Sequence, residues 1–294
     1  MAFTSTIKEN EEASHGGWNE LNPGGITSTL NGVGQLHEIR DRSTVSTRNT
    51  SKGALLKETY AVFSAVRTGL PLTKVREAIL NGEVLKKTAF ETRRKIWNAL
   101  KHRYLSVCPD WIGSSLAIAT KEGSQSPEYL SLAYLYFAIR DRLVFDFVTG
   151  PVWDNWQRQS TSLNRGDYLA FLDQQADNSS EIKKWHESSR KKLAGNTLSS
   201  LRDFGLLRGT QKKQIRRMTV APETVFHLLT LLNAEGLEGR AILQAQDWRL
   251  FLWSETEVLN ALGELAQMNW VRFEKSGRTV ILQLIRVPEV SYER

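Results

Sequence analysis

From residue 53 onward, apolar side chains recur three and four positions apart in successive segments, the spacing of one face of an α-helix. The pattern predicts a helix over 54–67, stopped by Gly69-Leu70-Pro71, and a second over 73–80, ended by Asn81-Gly82. A third runs from Thr88 to about Leu105, with Thr88 as N-cap and Glu91 three residues on as its capping-box partner. Its apolar arc is Phe90, Trp97, Leu100 and Tyr104. Lys95, Asn98 and His102 lie opposite, and Arg94 and Lys101 flank the arc. Residues 106–126 read as a Gly/Ser-rich connection with room for a short helix at 112–119. One long helix is predicted over 128–149, ended by Gly150-Pro151. The segment 152–159 continues with Trp153 and Trp156, and a further helix over 165–175 turns Tyr168, Leu169 and Leu172 inward.

Residues 187–220 carry a different combination. Leu193, Thr197, Leu201 and Phe204 form an apolar helical stripe, and Gly205 supplies a left-handed stop. Leu206 and Leu207 fall back on the core. Arg208, Lys212, Lys213, Arg216 and Arg217 follow in a hairpin-like stretch without an acid. Ser188 or Ser189 is placed to cap the helix. Arg190, Lys191 and Lys192 would then stand in its first turn, against the positive end of the helix dipole. Such a start suits a bound phosphate; a solvated basic surface helix is the alternative.

The last segment, 221–294, repeats this plan. Pro222 fits a first helical position, and Val225, Leu228, Leu229 and Leu232 make a stripe. A short piece follows at 237–243. Ser254 and Glu257 form a capping box, with Trp253 and Val258 placed as a hydrophobic staple and Val258, Leu262 and Leu265 facing inward. Residues 270–273 and 278–284 alternate as two strands around a Lys275-Ser276-Gly277 turn. A helix followed by a hairpin therefore occurs twice. The second helix carries Glu255, Glu257 and Glu264 and no Lys or Arg, so it would repel phosphate. Only Arg272, Lys275 and Arg278 are available at its hairpin.

These patterns imply a mainly α globular protein with two helix-turn-helix or winged-helix-like units and short β-hairpins. Four segments are expected: a disordered tail over 1–52, rich in Gly, Ser, Thr and Asn; an N-terminal helical unit over 53–123; a central winged-helix-like unit over 124–220; and a C-terminal one over 221–294. In the tail, Trp18 and Leu21 make at most a short contact. The short helix, turn and longer basic helix of the N-terminal unit match a helix-turn-helix, and equally an ordinary three-helix bundle with a charged face.

Charge sharpens this picture. Of 294 residues, 39 are Lys or Arg and 32 Asp or Glu, a net charge of +7, with a pI of about 9.5. An acidic partner is favoured, nucleic acid or a membrane surface foremost. The most membrane-like run, 129–148, is short and is interrupted by Arg140, Asp141, Arg142 and Asp146, which makes it a buried helix rather than a span. The opening MAFTSTIKENEEASHGG has no apolar stretch of a secretory signal. Cys108, the only cysteine, excludes an intrachain disulfide and fits a cytoplasmic setting.

No catalytic chemistry stands out. His15, His37, His102, His186 and His227 show no metal spacing, alone or with Cys108. There is no GxxxxGK[ST] phosphate loop and no GxSxG elbow. The Gly24-Gly25 and Gly32-Val33-Gly34 pairs lie in the tail without a strand and helix around them. Pro109-Asp110 opens a nuclease-like pattern that no acid-x-Lys strand completes, and Asp167, Asp173, Asp177 and Glu181 are irregularly spaced. Neither a catalytic residue, a cofactor nor a metal is expected.

The runs YLYFAIRDRLVFDFVTG, KLAGNTLSSLRDFGLLRG and DWRLFLWSETEVLNALGELAQMNWVRFEKSGRTV together resemble BrxA, a core protein family of the bacterial BREX phage-exclusion systems. The likeness covers about 54–285. It implies a nearly all-α fold, two helix-turn-helix units, double-stranded DNA binding and no catalytic activity. Family members have also been labelled inner-membrane proteins, a label the charged residues 140–142 argue against here. The tail over 1–52 departs from the family pattern. The helix-turn-helix units map onto 73–105 and 188–220. The expected role is a monomeric DNA-binding accessory protein of a phage-defence complex, alongside other BREX proteins and away from the membrane. Its contacts would be mainly to phosphates, through Lys86, Lys87, Arg94, Lys95, Lys101, Arg190, Lys191, Lys192, Arg208, Lys212, Lys213, Arg216 and Arg217, with base readout open to Asn196 and Ser199. The alternatives are a winged-helix protein-interaction adaptor and, more remotely, a metal-dependent nuclease using Asp110 or Asp167.

Overall fold

The computed structural model describes residues 39–40, 45–50, 52–86, 89–106 and 110–286. Its centre is helix α5, Pro127–Ile139, which follows α1 (Leu56–Arg67), α2 (Leu72–Asn81), α3 (Phe90–Leu100) and α4 (Asp110–Ala119). Every α5 residue from Leu132 to Ile139 is buried. A helix apolar all round has no solvent face, so others must enclose it. Its tyrosines still need partners for their hydroxyls, and they find them on separate elements. Tyr129 donates to the Leu56 carbonyl at 2.9 Å, and Tyr134 to that of Leu250 at 3.0 Å.

The long helix expected over 128–149 is broken after α5. Asp141 is extended, and its carboxylate accepts the Val144 amide at 3.1 Å, capping a new helix α6, Arg142–Phe147. A carboxylate at that position competes for backbone amides and starts a helix rather than continuing one. A π-helical turn, Val148–Val152, leads into α7, Trp153–Gln157. The connection expected over 106–126 is largely helix: α4 is buried along much of its length, with Ile112 and Leu116 fully enclosed.

Strand β1, Ser162–Leu163, precedes α8 (Arg165–Asn178), α9 (Ser180–Lys183) and α10 (Glu187–Asp203). The hairpin of β2 (Leu207–Arg208) and β3 (Lys213–Ile215) follows, and β1 joins it to give the antiparallel order β1-β3-β2. The C-terminal part is α11 (Pro222–Ala234), α12 (Gly239–Leu243), a 3₁₀ turn Gln246–Phe251, α13 (Glu255–Gln267), and the hairpin β4 (Val271–Ser276) with β5 (Thr279–Leu284). A helix followed by a hairpin is thus present twice. In the second, Ser276 pairs with Thr279, so the turn is Gly277-Arg278 rather than Lys275-Ser276-Gly277.

Buried side chains from Ile39 to Val271 form one continuous apolar cluster that runs through all three expected helical units. The boundaries drawn at 123 and 220 therefore separate sequence patterns that share a core. The expected tail is also incorporated at its end. Ile39 is buried, Asn49 is buried in a 3₁₀ turn Arg48–Thr50, and Arg40 bridges Glu235 and Asp247. Composition hid this because the anchors are single residues, with no apolar period. Trp18, Leu21, His15, His37 and the tail glycines lie outside the described residues, as do Lys87, Thr88, Cys108 and Pro109.

Candidate nucleic-acid interface

Helix α10 buries Leu193, Thr197 and Leu201, and Phe204 is enclosed just beyond it. The helix ends as the sequence predicts. Gly205 has φ +93°, its amide reaches the Arg202 carbonyl at 2.9 Å, and the Leu206 amide reaches Leu201 at 2.9 Å. These paired bonds satisfy the last carbonyls of the helix and turn the chain into β2. Leu206 and Leu207 are buried, as expected. The hairpin loop depends on Gly209, at φ +101°, where a Cβ would lie 2.6 Å from the Lys212 carbonyl oxygen.

The start of α10 differs from the expectation. The helix begins at Glu187 with His186 as N-cap, and neither Ser188 nor Ser189 caps it. Glu187 therefore occupies the first turn and holds Lys191 at 2.5 Å, which lowers the Glu187 pKa. Arg190 pairs with Asp173, and its Nε is buried without a hydrogen bond. The cationic helix start is thus answered by two carboxylates of the chain itself, and the case for a phosphate there falls away. Lys192 remains exposed with no ion pair among the described residues.

The other predicted contacts divide the same way. Asn196 donates to the carbonyls of Asn49 and Thr50, at 2.9 and 2.8 Å, so it fastens the 48–50 turn and is not presented to bases. Lys213 is 6% exposed and its ammonium donates to the Thr210 carbonyl at 2.5 Å; burial, with Arg202 and Arg165 nearby, lowers its pKa. Arg217 pairs with Glu257 at 2.5 Å and lies over the Trp156 ring at 5.5 Å, tying the hairpin to α13. Arg94 is held by Glu91 at 2.7 Å. Phe90, assigned to the apolar arc of α3, is 51% exposed.

Arg208, Lys212 and Arg216 are exposed and form no ion pair with any described residue. No acid lies between Leu206 and Val220. On the N-terminal side Lys86, Lys95 and Lys101 are likewise exposed without a carboxylate partner among the described residues. Sequence reasoning overlooked a further set of cations. Arg48, Lys52, Arg103 and Arg140 converge with Lys95 and His102 around a concavity beside the 48–50 turn. Nothing in their spacing signals it, because they come from three separate stretches, 48–52, 95–103 and residue 140.

Two acids considered for metal chemistry are structural. Asp167 accepts the Asn164 amide at 2.6 Å in the capping box that opens α8, and Asp173 serves Arg190. Among the described residues no three His, Cys, Asp or Glu side chains are grouped to hold a metal ion. No described helix is long and apolar enough to cross a membrane.

The family model named BrxA matches residues 45–231, more than half of the sequence. The chain belongs to the BrxA family. Membership carries a BREX-associated role in phage defence, and the BrxA match spans both the 48–50 turn and the α10 hairpin described above. Among solved structures, the BrxA-family fold here is similar to the crystal structure of an uncharacterized protein from Magnetospirillum magneticum. That likeness has 15% identity and a TM-score of 0.53, and covers 71% of this chain and 99% of that one. No curated protein sequence matches.

Proposed function

We propose that this BrxA-family chain is a non-catalytic component of a BREX system that binds double-stranded DNA, chiefly through its phosphates. The observation that carries this reading is the acid-free β2–β3 hairpin, which presents Arg208, Lys212 and Arg216 beyond the end of α10. A helix followed by a basic hairpin is the arrangement by which winged helices grip a duplex, and exposed cations without internal partners are the ones able to displace counterions. Lys192 adds to this surface, and Lys86, Lys95 and Lys101 form a second exposed group. With Asn196 committed inside the fold, sequence preference is expected to be weak.

The test is titration of a labelled duplex of unrelated sequence across salt concentrations, without and with magnesium. Affinity should fall steeply with salt while the duplex stays intact. Changing Arg208, Lys212 and Arg216 to Glu should weaken binding by at least about tenfold and flatten the salt slope by about 0.9 for each phosphate no longer neutralised. Wild-type affinity in that variant, with unchanged circular dichroism, removes the hairpin from the interface. Absence of binding at low salt overturns the reading, and magnesium-dependent cutting overturns its non-catalytic part.

A second reading, a protein-interaction adaptor, is favoured by one observation. Met268, Ile281 and Ile285 are 40–57% exposed around the C-terminal hairpin. A DNA-binding-deficient hairpin variant that still retains a BREX partner would assign both surfaces.

A further inference from the structure

Arg165 is an exposed cation that the spacing of charges along the chain does not single out. Backbone pairing fixes its position. Strand β1 lies against β3 of the basic hairpin, with Leu163 opposite Lys213, and α8 begins two residues later at Arg165. The Asn164 side chain accepts the Gly166 amide at 2.6 Å and Asp167 accepts the Asn164 amide at 2.6 Å, so a capping box holds this helix start in place. Helix α8 then packs along α10. The Arg165 guanidinium is directed over Gly195, in the middle of α10. A Cβ at Gly195 would lie 3.7 Å from Arg165 Nη2 and 3.9 Å from Nε. A glycine inside a helix is destabilising relative to alanine; here it leaves the α10 surface bare beneath the guanidinium. Arg165 is also close to the hairpin. After burial and Arg202, its charge is the next cause that lowers the Lys213 pKa.

Arg165 thus stands between two cationic groups already described. On one side is the hairpin with Arg208, Lys212 and Arg216. On the other is Lys192, three residues before Gly195, and residues three apart are neighbours on a helix surface. None of these five cations forms an ion pair with a described residue, and Arg165 forms no hydrogen bond to one. The carboxylates in the first turn of α8 and at the end of α10 are engaged: Asp167 by the Asn164 amide, and Asp203 by Arg202 at 2.8 Å. All five N–H donors of Arg165 remain unused by the chain, in the planar fork that suits a phosphate. We infer that Arg165 is a phosphate contact of the duplex interface, one that carries the hairpin's grip onto α10, so that the hairpin cations, Arg165 and Lys192 follow one continuous stretch of DNA backbone. Such a contact presupposes the duplex-binding role proposed above and gives it a direction: the duplex runs along α10 over Gly195, beyond the hairpin.

The full chain would be titrated with the labelled duplex across salt concentrations as wild type, R165A, R165K, G195D and R278A. Arg278, exposed on the C-terminal hairpin, controls for charge alone. R165A should weaken binding at least about threefold at low salt and flatten the salt slope by about 0.9, the loss of one neutralised phosphate. R165K should keep the slope and lose part of the affinity, because an ammonium replaces the charge without the fork. R278A should match the wild type. G195D leaves Arg165 in place and sets a carboxylate beside its guanidinium, where the side chain meets nothing else at close range. It should weaken binding at least as much as R165A, and it carries the test if R165A disturbs the α8 start. Wild-type affinity and slope in R165A or G195D, with binding still lost in R208E/K212E/R216E, overturn the Arg165 contact and leave the hairpin reading standing. An equal loss in R278A shows that net charge rather than position sets affinity, and overturns the contact too. Absence of duplex binding by the wild type overturns both.

Discussion

His227 is fully buried, yet every polar atom of its ring has a partner. Nδ1 is 2.8 Å from the Tyr136 hydroxyl and Nε2 is 3.0 Å from Ser115 Oγ, with Glu223 at 3.4 Å. Hydroxyls both donate and accept, so they satisfy either neutral tautomer. The ring joins α4, α5 and α11. Burial lowers its pKa below the ordinary 6.5, although Glu223 acts in the opposite direction. The sign of the pH effect follows. Below about pH 6.5 the unfolded chain takes up a proton that the folded chain resists, so stability falls as pH drops through that region. Thermal unfolding from pH 8 to 5 should show this loss, and His227→Gln should lessen it. The substitution should also cost roughly 1–3 kcal/mol at neutral pH through disrupted buried hydrogen bonds. Equal pH slopes in the two proteins would mean that His227 does not carry the effect. The sequence marks His227 only as one more lone histidine; its two hydroxyl partners lie more than ninety positions away.

Local chemistry was readable where neighbours in sequence are also partners in space. The α13 capping box is the clearest case. The Ser254 amide donates to Glu257 Oε2 at 2.5 Å, and the Ser254 side chain accepts the Glu257 amide. Ser254→Ala should lower stability by about 1 kcal/mol, measured as a shift in the urea midpoint with unchanged slope. The α10 start was misplaced because Ser188 and Ser189 are equally good caps on paper, whereas the helix begins just before them and puts Glu187 in its first turn. The α5–α6 break shows the same limit. In the sequence Asp141 stands as a charge interrupting an apolar run, and its effect as a cap depends on the bend that Arg140, bonded to two distant carbonyls, helps to hold.

Across the whole molecule, residues placed in the expected tail lock together parts of the chain far apart in sequence. Arg40 bridges Glu235 on one side and Asp247 on the other, and all three side chains are nearly buried. Burial opposes its charge, but the two carboxylates hold its pKa above the ordinary value. Arg40→Ala would remove the cation that bridges these two carboxylates and leave the nearly buried Asp247 without it. The expected cost is roughly 3–5 kcal/mol, read from chemical denaturation at neutral pH. A loss below about 1 kcal/mol would show that solvent reaches the carboxylates readily. This clamp and the pocket beside Arg48 both fasten the N-terminal segment to the helical body.

The helical class, the two helix–hairpin repeats, the acid-free basic hairpin and the buried character of residues 129–139 were all readable from residue order. Helical period, glycine stops, capping and local charge act over a few residues, so their physics is written in adjacent positions. Which cations remain available to a ligand was not. Arg208, Lys212 and Arg216 stay exposed without an ion pair, while Asn196 and Lys213 are drawn into the fold, Arg217 is exposed but held by Glu257, and Arg48, Lys52, Arg103 and Arg140 line a concavity from separate segments. Pairing and burial depend on long-range packing, which brings together charges that no spacing along the chain relates.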